Sequence, residues 1–155
     1  MPFAGLNLAG LDRVTVRSRG GVSKVELVPA PRWAGTAPSD GSCAWAFIED
    51  RAHYSEETTD DGRLIRHTLS MELPAGRPTA RAVERLMALD AGGFVAVLTM
   101  ASGETLVAGQ SERFGTQYPM HIVALKLVSG SSPDERPTVT LFFECFDTEL
   151  SQAPK

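Results

Sequence analysis

Ile65, His67, Leu69, Met71 and Leu73 alternate without a break with Arg66, Thr68, Ser70 and Glu72. Side chains of a strand point to opposite faces in turn, so this pattern specifies an extended segment with one apolar face. The turn sequence Asp60-Asp61-Gly62 precedes it, and Trp45 to Thr59 lies before the turn, which predicts a long antiparallel hairpin. Two strands alone cannot bury such a face. Further antiparallel strands must cover it.

The rest of the chain offers them. Arg13 to Arg17 and Val22 to Val28 read as a strand pair joined by Ser18-Arg19-Gly20-Gly21, where glycine allows a tight connection. Phe94 to Thr99 is apolar on both faces, as an internal strand requires, and Thr105 to Ala108 follows a turn at Ala101-Ser102-Gly103-Glu104. Tyr118 to Val128 and Thr138 to Phe146 complete the set, the last with Val139, Leu141, Phe143 and Cys145 on one face. The one convincing helix runs from a cap at Thr79 to Asp90, with Ala82, Val83, Leu86 and Leu89 at helical spacing, and Gly92-Gly93 ends it. The expected fold is mainly β (α+β): an antiparallel β-sandwich or partly closed barrel of about eight strands with one packed α-helix.

The length of 155 residues and the 43% hydrophobic content suit a single domain, 1–155, that needs neither disulfide nor metal to fold. Within it stand an apolar N-terminal arm (1–11), a long loop (29–42) holding Pro29, Pro31 and Pro38, and a frayed tail (151–155). The net charge of -4 and the absence of any Lys/Arg run argue against sequence-specific nucleic acid or a membrane surface as partner. No stretch approaches the roughly 20 apolar residues of a membrane span. The start lacks a signal-peptide pattern, and Cys43 and Cys145 are far apart, so a soluble protein of a reducing cytoplasm is expected.

Chemistry-bearing residues are few. His67 and His121 on neighbouring strands could hold a divalent metal, but no spacing supplies a third ligand, and core-edge histidines account for both. Cys145 with a histidine base is the pair a thiol hydrolase needs, yet it alternates with Leu141 and Phe143, where a thiol serves as a small hydrophobe. Cys43 lies in a Gly-Ser-Cys-Ala loop without the context of a nucleophile elbow. Glu56-Glu57 and Asp60-Asp61 do not match a calcium loop and read as the solvated tip of the hairpin. No catalytic, cofactor or metal site is therefore assigned.

Charge over longer distances carries more. Glu49 to Asp61 holds six acidic residues and one arginine, whereas Asp12 to Arg32 holds five basic residues and two acidic ones. Placed at opposite ends of the domain, these regions would let copies dock head to tail. The arm residues Phe3, Leu6 and Leu8, together with Trp33, add apolar surface of the kind that oligomers bury. Phe3, Leu6, Leu8, Trp33, Glu56, Glu57, Asp60 and Asp61 are accordingly the expected assembly interface.

The order of these features, namely the apolar arm, the loop Pro29 to Ser42, the acidic hairpin around Asp60-Asp61-Gly62, the helix Thr79 to Asp90 and the closing strands Phe94 to Phe146, resembles a tail-tube or related tail and neck component of tailed bacteriophages. Leu106-Val107-Ala108-Gly109, Tyr118-Pro119 and Ser129-Gly130 are similar in style to small prophage proteins of gut bacteria. The resemblance implies a sandwich or barrel that assembles into rings, often hexameric, with an acidic lumen along which DNA slides and arms that touch the next ring. It also implies other tail or neck proteins as partners, and assembly in the host cytoplasm into a virion tail. The alternative is a small-molecule-binding β-barrel whose cavity is lined by His67, Met71 and His121. A hydrolase or metal enzyme using Cys145 or the histidines is the third reading.

Overall fold

The computed structural model describes residues 21–59, 64–111, 114–129 and 136–147. The arm residues Phe3, Leu6 and Leu8, the strand expected at Arg13 to Arg17, the tip residues Asp60 and Asp61 and the tail 151–155 lie outside the described residues.

The alternating segment becomes β4 (Leu64–Pro74), and its residues Ile65, His67, Leu69, Met71 and Leu73 are the buried ones. On one side it pairs with β3 (Ala52–Thr59), from Ala52↔Met71 to Thr59↔Leu64. On the other it pairs with β8 (Thr138–Asp147), from Pro74↔Thr138 to Ile65↔Asp147, and β8 carries β7 (His121–Val128) at the sheet's edge. The second sheet has the order β2 (Ala44–Trp45), β1 (Val22–Pro29), β5 (Phe94–Met100), β6 (Thr105–Ala108). Every pairing is antiparallel. Among the described residues the two sheets do not close into a barrel and one α-helix accompanies them, so the fold is a sandwich.

The first arm of the expected hairpin is shorter than its sequence suggests. Trp45 belongs to β2 in the other sheet, and the chain changes sheets between Trp45 and Ala52. Asp50 adopts a left-handed φ of 64° there, the Arg51 N–H donates to Ile48 O at 2.9 Å, and backbone bonds from Ile48 to Glu72 and from Glu72 to Arg51 fix the crossover. Alternation cannot reveal a bend whose flanks are both extended.

The helix α1 (Arg77–Leu89) also starts earlier than expected. Gly76 is its N-cap and accepts the first helical bond from Ala80, and Pro78 sits in the first turn, where its missing N–H has no partner to lose. Thr79 does not cap; its hydroxyl donates to Pro74 O at 2.7 Å and ties the helix to the end of β4. Val83 and Leu86 are buried, while Leu89 and Met87 are exposed.

One apolar cluster spans the two sheets, with Val25, Leu98 and Leu106 facing Leu69, Leu141 and Phe143. Phe94 and Phe143 meet edge to face across it, centroids 6.2 Å apart. β5 is buried on both faces, as its composition requires, because the loop after β1 folds back and sets Trp33 and Ala37 over Val95, Val97 and Val107. β7 begins three residues later than the sequence suggests, at His121, after Met120 has exchanged backbone bonds of 2.8 and 2.9 Å with Phe94 and joined the sheets at one corner.

Gly109 makes that corner possible. Its φ is +90°, and a Cβ there would lie 2.6 Å from Phe94 O. Gly109→Ala should therefore destabilise the fold by about 2–4 kcal/mol, through left-handed strain and overpacking. Thermal unfolding would report this as a midpoint lower by roughly 10 °C.

Candidate functional site

Register places the most chemically loaded residues in one row. Glu56 opposes His67 and His67 opposes Cys145 across β3, β4 and β8, so all three side chains enter the sandwich from one sheet. Glu56 is 0% exposed, His67 2% and Cys145 5%. Tyr54, two residues before Glu56 on the same face, has its hydroxyl 2.8 Å from His67 Nδ1, and Glu56 Oε1 is 3.8 Å from the same nitrogen. A carboxylate, an imidazole and a thiol in this order are the components of a thiol hydrolase.

Their environment works against that chemistry. Burial pushes the Cys145 pKa from 9.0 up to about 12, helped by the carboxylates of Asp147, Glu56 and Glu144 and only partly offset by the Gly109 backbone. A thiol that keeps its proton near neutral pH is not a nucleophile. Tyr54, Glu56 and His67 form a buried polar group joining β3 and β4, with Cys145 in register beside it on β8.

The shift has a consequence for stability. The folded-state value lies above the unfolded one, so the contribution is complete below pH 9.0 and is lost as pH rises toward about 12, where only the unfolded chain ionises first. Between pH 8.5 and 11 the denaturant midpoint of the native protein should fall more steeply than that of Cys145→Ala, by an amount on the order of 2 kcal/mol or more.

The structure does not unite the histidines. β8 separates β4 from β7, and His121 opposes the outward-facing Glu144 whereas His67 opposes the inward-facing Cys145. His121 Nδ1 lies 3.0 Å from Asp90 O, just beyond α1, and Asp90 Oδ1 accepts from Ile122 N at 3.0 Å. Among the described residues no three His, Cys, Asp or Glu side chains come together as a metal site. Met71 packs inside the apolar cluster and His67 is buried beside Tyr54 and Glu56, and the sheets do not close into a barrel whose cavity these residues could line with His121.

The expected acidic tip divides. Glu57 is exposed and pairs with Arg66 at 2.6 Å on the outer face, whereas Glu56 points inward and is no surface residue. Adjacent strand residues face opposite ways, which the run Glu56-Glu57 conceals. Trp33 is also engaged within the fold: its Nε1 donates to Gln110 Oε1 at 3.2 Å while the ring covers the outer valines.

The surface feature that stands out is β7. It is the terminal strand of its sheet, and among the described residues nothing pairs with its outer edge. Val123 is 55% exposed, Leu125 44% and Leu127 66%. A register shift between Ile122 and Ala124 places Val123 in a bulge, after which Leu125 and Leu127 follow the inward parity of Leu141 and Val139 without being covered by the opposite sheet. Val128 and Phe146 expose apolar surface on the outer face. Edge strands are usually shielded by charge, and β7 has a single lysine, Lys126.

No family model, curated protein or solved structure matches the chain. No helix among the described residues is long and apolar enough to cross a membrane.

The sequence marks Tyr118 to Val128 as a strand with apolar residues on both faces, and such a pattern does not tell a covered strand from an exposed one. The usable signal was Leu125-Lys126-Leu127-Val128 beside only one strong neighbouring strand, Thr138 to Phe146. The register shift at Val123 has no mark in the composition.

Proposed function

We propose that the protein is a non-enzymatic structural subunit that self-associates into a ring or tube of a phage-tail-like particle. The observation that carries this reading is the β7 edge, unpaired among the described residues, with apolar side chains exposed on both faces of the strand. Such an edge is a template for strand addition: backbone groups supply affinity and flanking side chains bury area.

The occupant is a second copy of the chain, which brings its acidic hairpin to β7. Lys126 opposes Thr140 and Glu57 opposes Arg66, so both charges belong to the outer face of their sheet. A junction that continues this sheet from copy to copy sets them on one side, as attraction requires. A head-to-tail contact of this kind closes a ring when its rotation permits. Under this reading assembly takes place in the host cytoplasm with other tail or neck proteins, and the finished location is the particle.

Light scattering and negative-stain microscopy of the purified full chain test the reading. Rings or tubes, alone or with partner tail proteins, support it. A strict monomer under both conditions counts against it.

A further inference from the structure

A cleft of about 480 Å³ separates α1 from β2 at one open end of the sandwich. That volume lies within the range of roughly 300–1,000 Å³ used for small molecules. The cleft exists because neither wall is finished. Strand β2 is two residues long, so Trp45 is only half-buried, and α1 turns Ala82 and Leu89 toward the gap without enclosing them. Cys43 forms part of the lining and is itself 9% exposed.

Two cations complete the lining. Arg32, in the turn after β1, and Arg85, on α1, reach the cleft from different elements. Among the described residues neither has a carboxylate within ion-pair distance. An apolar slot lined in part by two arginines is complementary to a hydrocarbon body with an anionic head, since arginine binds carboxylates through two parallel hydrogen bonds. The chain's own first twenty residues fit this charge poorly, because they hold three arginines against a single aspartate.

We propose that this cleft binds a single-chain acidic amphiphile, its hydrocarbon body between α1 and β2 and its carboxylate held by Arg32 and Arg85. The site is independent of the β7 edge, so its failure would leave the assembly reading untouched.

Cys43 provides the readout, because Cys145 is sealed in the core. In the full chain, dodecanoate below its micelle concentration should slow modification of Cys43 by a small aromatic disulfide, with dodecanol protecting about tenfold less at equal concentration. Arg85→Gln combined with Arg32→Gln should erase the advantage of the acid over the alcohol while the thermal midpoint stays within a few degrees. Ala82→Phe, which fills the slot from the helix side, should abolish protection by both compounds. Equal protection by acid and alcohol, protection that survives loss of both arginines, or no protection in the native protein would each overturn the assignment.

Discussion

Glu56→Lys should unfold the protein or lower its melting temperature by roughly 10 °C or more, whereas Glu57→Lys, one residue on, should shift it by no more than a few degrees. The difference is one of facing. Glu56 is fully buried, with its carboxylate 3.8 Å from the Nδ1 of a buried His67 that also meets the Tyr54 hydroxyl at 2.8 Å. A lysine there would place an uncompensated ammonium beside the imidazole inside an apolar sandwich, a change that costs about 3–5 kcal/mol, as uncompensated buried charges do. Glu57 loses only its surface contact with Arg66, worth about 1 kcal/mol at most. Thermal unfolding followed by circular dichroism checks both. Equal and small shifts would mean that Glu56 is not held inside the sandwich.

Leu125→Lys combined with Leu127→Lys should abolish self-association and leave the fold intact. Both side chains are already substantially exposed in the single chain, so folding gains little from them. At a junction each would bury apolar surface worth about 1.5–3 kcal/mol, and a lysine in its place would instead have to desolvate a charge. Together these effects weaken association by well over about a hundredfold. The sedimentation profile should move to a single species of 16.7 kDa, with circular dichroism unchanged. Assembly that persists in this variant would exclude β7 as the contact.

The sandwich was legible because its strongest strands obey simple rules. Ile65 to Leu73 alternates and is buried on alternate residues, and Phe94 to Leu98 is apolar throughout and lies between two strands. The departures share a cause, which is that local pattern carries no information about long-range pairing. Trp45 reads as a continuation of the hairpin, yet the turn at Ile48 to Arg51 sends the two parts to different sheets. Thr79 has the chemistry of a cap, but the Gly76-Arg77-Pro78 geometry begins the helix before it. In the candidate site, Glu56 and Glu57 looked alike until the register set one opposite His67 and the other opposite Arg66. The exposure of β7 was hidden for the same reason, because an apolar strand declares that it must be buried without declaring by what.

The most direct test of the assembly reading is sedimentation velocity on the purified full chain over a wide range of concentration, alongside the Leu125→Lys, Leu127→Lys double variant. The reading predicts species well above 16.7 kDa for the native protein, growing with concentration, and only the monomer for the variant. A native protein that sediments as a 16.7 kDa monomer at every concentration, with or without candidate tail partners, would contradict it.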